Sequence, residues 1–117
     1  MTPRRRVLVV EDEVLVGMLL EEMLSELGYE VAALSTHLDE ALTLARNAQF
    51  DVALLDINLN GRQSFPVADA IRARGLPFLF ATGYGSRIVG APYCDVPILQ
   101  KPFSLDELRA ALARAAG

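Results

Sequence analysis

Five side chains with chemical capacity stand at the ends of short, largely apolar runs. Glu11 and Asp12 follow Val7-Leu8-Val9-Val10, and Asp56 follows Val52-Ala53-Leu54-Leu55. Thr82 follows Phe78-Leu79-Phe80-Ala81, and Lys101 follows Ile98-Leu99-Gln100. Carboxylates brought together repel one another and resist ionisation unless a cation is present. Mg²⁺ meets that need, since it takes hard oxygen ligands from a few carboxylates, water and phosphate. A lysine ammonium is a compact charge suited to a phosphoryl oxygen, and a threonine hydroxyl can donate to another. An aspartate can itself be the nucleophile, ending as an aspartyl phosphate. Phosphoryl transfer is catalysed mainly by positioning and charge neutralisation. Gathered on one edge, these residues form a complete site for phosphorylating Asp56.

The elements that must gather them are legible in the same runs. Uninterrupted apolar stretches of this length indicate strands buried on both faces, as in a parallel sheet. In open α/β sheets the ligand crevice lies outside the carboxyl ends of the strands, which is where all five residues fall. Between the strands the period changes to helical. Leu15, Met18, Leu19, Met23 and Leu27 form a stripe read as core, interleaved with Glu21, Glu22 and Glu26. Gly28 closes that helix, with Tyr29 packing back over its last turn. A strand over 30–34 is followed by a helix carrying Leu38, Ala41, Leu42 and Ala45, with Ser35 or Thr36 as its cap. Val67, Ala70 and Ile71 suggest a third helix stopped by Gly75 and Pro77. The last helix carries Leu105, Leu108, Leu112 and Ala115, opened by a capping box of Ser104 and Glu107. Between strands four and five, Gly85, Gly90, Pro92 and Pro97 leave room only for a short or disordered helix 4. Strands and helices alternate throughout, which predicts a parallel α/β sheet with right-handed crossovers and helices on both faces.

Composition narrows the function. A chain of 117 residues makes one domain, and its net charge of −4 argues against a nucleic-acid surface. Arg4-Arg5-Arg6 reads as a solvated flank. No apolar run reaches the roughly 18 residues of a membrane span, and Glu11-Asp12-Glu13 interrupts the N-terminal apolar run before it could serve as a signal peptide. Cys94 has no cysteine partner and no metal-site company. His37 has no acid or cysteine pattern around it and reads as an exposed residue. The expectation is a cytoplasmic protein with no nucleic-acid and no membrane partner.

With these residues in view, the sequence resembles the receiver domain of two-component response regulators. The resemblance rests on Val-Leu-Val-Val-Glu-Asp-Glu at 7–13, Leu-Leu-Asp-Ile-Asn-Leu-Asn-Gly at 54–61, Ala-Thr-Gly at 81–83 and Lys-Pro-Phe at 101–103. It covers essentially the whole chain, and the stretch from Phe80 to Gly85 resembles the subgroup named for Phe-Ala-Thr-Gly. The resemblance implies a flavodoxin-like three-layer sandwich with a five-stranded sheet of order 2-1-3-4-5. It makes 1–117 a single receiver domain, expected to carry no output domain, as a stand-alone regulator or as the receiver of a hybrid kinase. It makes Asp56 the phosphoacceptor, Asp12 and Asp56 direct Mg²⁺ ligands, Glu11 a ligand through water, and the Asn58 backbone carbonyl a further ligand. Thr82 is the switch hydroxyl, Lys101 binds the phosphoryl oxygen, and the bond to Pro102 is cis. The implied donor is a histidine kinase or histidine phosphotransfer protein, with an unnamed downstream protein partner.

The sequence departs from that family at three places. Ile98 stands where an aromatic residue usually couples to the threonine, leaving Tyr84 as the candidate substitute for reading out the signal. Asn60 stands where proline is frequent, and the Gly/Pro-rich stretch before strand five suggests an order–disorder readout. Two rival functions remain beside phosphorylation-dependent signalling. A Mg²⁺-dependent phosphatase would place an Asp-x-Asp pair after the first strand, whereas the chain has adjacent Glu11-Asp12. A receiver-like docking module that signals without phosphorylation would have no need to crowd like charges. The expected role is therefore signalling, not metabolic catalysis.

Overall fold

The computed structural model describes residues 4–83, 93 and 95–116. In chain order the elements are β1 (Arg6–Val10), α1 (Val14–Glu26), β2 (Glu30–Ser35), α2 (Leu38–Asn47), β3 (Val52–Asp56), β4 (Asn58–Leu59), β5 (Arg62–Gln63), α3 (Phe65–Ala73), β6 (Phe78–Thr82), β7 (Ile98–Gln100) and α4 (Leu105–Ala116). Five of the strands form one parallel sheet of order β2-β1-β3-β6-β7. Counted in chain order, those five strands have the 2-1-3-4-5 arrangement of the flavodoxin-like fold.

Successive side chains of a strand point to opposite faces, so continuous apolar runs supply two cores at once. Val7, Val9, Val52, Leu54, Leu79 and Ala81 face α1 and α4, meeting Leu20, Leu24, Leu108 and Leu112. Leu8, Val10, Ala53, Leu55, Phe78 and Phe80 face α2 and α3, meeting Ala41, Ala45, Val67 and Ile71. The result is three layers with a sheet buried on both sides. β1 and β3 run in register from Val7 opposite Val52 to Val10 opposite Leu55. That register brings their carboxyl ends out at the same level.

Several local signals form as the sequence suggests. Gly28 adopts φ 90° after α1, with its N–H bonded to the Ser25 carbonyl and the Tyr29 N–H bonded to the Leu24 carbonyl. That is the paired closure of a Schellman motif. At α4 the Ser104 N–H donates to Glu107 Oε1 (2.8 Å) and the Glu107 N–H donates to Ser104 Oγ (3.1 Å), completing the capping box.

Two expectations need correction. The apolar stripe of α1 is not all core: Leu15, Met18 and Leu19 are 80, 56 and 55% exposed, and Gly17, Leu20 and Leu24 face the sheet. The first half of α1 is apolar on every side, so periodicity cannot choose its inner face. Close packing chooses it instead, because a Cβ at Gly17 would lie 2.9 Å from Leu34 Cδ2. Neither Ser35 nor Thr36 caps α2. β2 runs on through Ser35, whose Oγ lies 3.1 Å from the His37 carbonyl and 2.9 Å from Glu40 Oε1, and His37 takes the N-cap position without a side-chain bond. Of the stretch expected to hold a short or disordered helix, residues 84–92 and 94, with Tyr84 and Cys94 among them, lie outside the described residues.

Candidate functional site

The five candidate residues meet at the carboxyl edge of the sheet, and main-chain bonds beyond the strands place them there. The Glu11 N–H continues the ladder to the Ser35 carbonyl (3.0 Å), which turns the Glu11 side chain inward at only 1% exposure. Asp56 ends β3 opposite Ala81, and the Ile57 N–H bonds the Ala81 carbonyl (3.1 Å). The Lys101 N–H bonds the Thr82 carbonyl (2.8 Å), so β6 and β7 deliver their last residues side by side. The Lys101–Pro102 peptide bond is cis.

Lys101, the single lysine of the chain, is the electrostatic centre of the group. Its Nζ lies 2.9 and 2.8 Å from the two carboxylate oxygens of Glu11 and 3.3 Å from Asp56 Oδ2. The Lys101 side chain is 17% exposed and Asp56 is 7% exposed. Burial drives the Asp56 carboxyl up from 3.8 to about 7, reinforced by a hydrogen bond with Glu11 and repulsion from it, with Lys101 pulling the other way. Burial alone would lower the Lys101 ammonium. Its hydrogen bond to Glu11 and the charges of Asp56 and Glu11 outweigh that and hold it above the ordinary lysine value. One lysine is thus shared between two buried acids, which leaves the edge short of positive charge.

Asp12 is half-buried beside them. Carboxylate oxygens of Glu11, Asp12 and Asp56 all lie within 4.8 Å of one another. Three hard oxygen donors at that spacing, with negative charge in excess, fit a small divalent cation such as Mg²⁺. Asn58 lies two residues past Asp56, exposed in β4. Thr82 is half-buried at the end of β6. Ile98 is half-buried and paired with Phe80, and Tyr84 is outside the described residues.

Three features escaped the sequence reading. β4 and β5 form a two-residue hairpin over Asn60-Gly61, with φ of 51° and 84°. Positive φ at both positions is the requirement of a type I′ turn, and Asn-Gly is its strongest sequence signal, so this hairpin was there to be found. The Asn60 N–H donates to Asp12 Oδ2 at 2.9 Å. Tyr93 is the second feature. Its ring stacks on Phe65 and meets Phe78 and Phe80 edge-on, and its hydroxyl bonds Asp69. Burial, then the bond to Asp69, push that hydroxyl up to about 12. No local signal marks Tyr93 out from the rest of its glycine- and proline-rich stretch. The third is an apolar groove of about 350 Å³ between α1 and the Pro102 turn, lined by Val16, Leu19, Met23, Gly83, Lys101 and Phe103. It adjoins the site through Lys101.

Comparison with known proteins agrees in sequence and in shape. The family model for the response regulator receiver domain matches residues 7–113. The chain is 33% identical over 115 residues to the transcriptional regulatory protein PdtaR of Mycobacterium tuberculosis, covering 95% of this chain and 56% of PdtaR. It is 33% identical over 113 residues to the probable transcriptional regulatory protein SilR of Salmonella typhimurium, covering 90% of this chain and 48% of SilR. The chain thus spans about half the length of these curated relatives. Among solved structures, SdrG of Sphingomonas melonis Fr1 superposes with a TM-score of 0.87 at 39% identity, each chain covered in full. The receiver domain of Erythrobacter litoralis PhyR superposes at 0.83 with 26% identity, covering 96% of this chain and 89% of that one.

Proposed function

The chain belongs to the response regulator receiver family, and from that membership we propose that it accepts a phosphoryl group on Asp56 from a histidine kinase or histidine phosphotransfer protein. The observation that carries this reading is the shared lysine: Lys101 Nζ within 3.3 Å of both Glu11 and Asp56 at the open edge of the sheet. In the transfer, an Asp56 carboxylate oxygen attacks phosphorus, the O–P bond forms, and the donor's N–P bond breaks with its electron pair returning to the imidazole. Asp56 must be ionised to attack, and its displacement to about 7 makes it a poor nucleophile until more positive charge arrives. Mg²⁺ held by Asp12, Asp56, the Asn58 carbonyl and, through water, Glu11 would supply that charge and screen the phosphoryl oxygens. Lys101 then turns from Glu11 to a phosphoryl oxygen, and the Thr82 hydroxyl donates to another.

The donor docks, in this reading, on the outward face of α1. Val14, Leu15, Met18 and Leu19 are all more than half exposed there, beside the apolar groove that leads to Lys101. The output is a contact with another protein: a net charge of −4 suits no nucleic-acid surface, and none of the described helices is long and apolar enough to cross a membrane. A cytoplasmic setting fits both donor and output. The reading is tested by intact mass after incubation with a small acyl-phosphate donor and Mg²⁺. One acid-stable, base-labile phosphoryl adduct on the wild type, absent from Asp56→Asn and abolished by chelation, is expected. A folded wild type that takes no adduct would leave the unphosphorylated docking module in its place.

A further inference from the structure

The β4–β5 hairpin reaches back to the acidic cluster. Its tip holds Asn60 at φ 51°, and from that left-handed position the main-chain N–H donates to Asp12 Oδ2 at 2.9 Å. The tip is fixed from three sides. Leu59 is buried at 1% exposure, the Ser64 N–H bonds the Ile57 carbonyl (2.8 Å), and Asn60 Nδ2 donates to the Thr36 carbonyl (3.2 Å) in the turn between β2 and α2. In this chain that bond gives Asp12 a fixed orientation. Asp12 stands within 4.8 Å of Glu11 and Asp56, whose charges repel it, while Lys101 is bonded to those two acids. With the N–H bond made, Asp12 still presents an oxygen toward the other two carboxylates.

We propose that Asn60 is a positioning residue for the cation site: its left-handed main-chain N–H holds the Asp12 carboxylate in the ligating orientation, and its side-chain amide ties that turn to Thr36. This rests on the cation site proposed above. A proline at 60 would lose the donor, because it has no N–H and its φ is locked near −65°. The asparagine is suited to the position, being one of the few side chains at ease in the left-handed region.

The test is Mg²⁺ affinity without any phosphodonor, followed by backbone-amide NMR titration, with Mn²⁺ line broadening as a second probe. Asn60→Gly keeps both the N–H and the left-handed turn, and is expected to bind within about threefold of wild type. Asn60→Pro loses the donor, and loss of a group orienting a metal ligand typically weakens affinity by tenfold or more, so a loss on the order of tenfold is expected. Gly61→Val keeps Asn60 but strains the turn at φ 84°, and weakens binding in the same direction should Asn60→Pro fail to fold. Unfolding temperatures in chelator separate orientation from stability, because a purely structural role would lower those and leave the affinity of the folded protein unchanged. Wild-type affinity in Asn60→Pro or Gly61→Val would overturn the positioning role alone. A wild type that binds neither ion would overturn the cation site, and the positioning role with it.

Discussion

Replacing Asp56 by asparagine should stabilise the cation-free protein, and by an amount that depends on pH. The folded carboxyl titrates near 7 and the unfolded one near 3.8. Between those values the folded protein keeps a proton that the unfolded chain has lost. Stability contributed by this group is therefore full below about pH 4, falls as pH rises toward 7, and is flat above. The whole displacement corresponds to on the order of 4 kcal/mol, an upper bound because Lys101 stays near enough to relax toward the ionised acid. The asparagine side chain would be neutral at every pH and carry no such loss, while Lys101 keeps its two bonds to Glu11. In a domain of this size about 1 kcal/mol moves Tm by about 4 °C. Asp56→Asn should then melt on the order of 10 °C above wild type at pH 8, with the gap shrinking to about a third of that at pH 5. Circular dichroism melts of both proteins in chelator from pH 5 to 8 measure this. Every other titrating group is common to the pair, so the difference reports Asp56 together with its coupling to Glu11 and Lys101. A gap independent of pH, or a variant that melts lower at pH 8, would refute the reasoning.

Three other substitutions probe the packing and the surface. Gly17→Val should cost about 1–3 kcal/mol in chemical denaturation, since a Cβ there already lies 2.9 Å from Leu34 Cδ2 and α1 would be pushed off β2. Ser64→Ala should be neutral or stabilising by about 1 kcal/mol, because Ser64 Oγ is buried without a hydrogen-bond partner among the described residues; a loss above about 1 kcal/mol in the same assay would show an unseen partner. The double substitution Leu15→Glu, Met18→Glu should leave Tm unchanged and phosphorylation by a small donor intact. It should slow transfer from a histidine phosphodonor at least tenfold, the effect of removing two apolar anchors from a docking face. Equal slowing with both donors would place these residues in the chemistry instead.

How much of this was legible in sequence depended on the kind of signal. The strands were clear because a parallel sheet buried on both faces demands unbroken apolar runs, and Val7–Val10, Val52–Leu55 and Phe78–Ala81 have nothing else to be. The alternation with helices implied a parallel sheet, and the strand order came from the family resemblance alone. Asp56, Lys101 and their neighbours were legible as a set because each stands where a strand must end. The inner face of α1 was not legible, since Leu15, Met18 and Leu19 are as apolar as Leu20 and Leu24. Only the contact of Gly17 with Leu34, a long-range fact, decides between them. The cap of α2 was misread because β2 extends one residue further and draws Ser35 into the sheet. The Asn60-Gly61 turn was legible and overlooked, masked by its position in a stretch already assigned to the site. Its bond to Asp12 was not, because nothing local links residues 48 apart.

The claim on which the rest depends is that Asp56 is the residue that carries the phosphoryl group. It is tested most directly by treating the protein with a phosphodonor and Mg²⁺, reducing the acyl phosphate with borohydride, and mapping the resulting alcohol by tandem mass spectrometry. Homoserine at position 56 alone, and none when Mg²⁺ is withheld, is the expected result. A reduced side chain at position 11 or 12, or at no position in a folded, Mg²⁺-supplied protein, would contradict it.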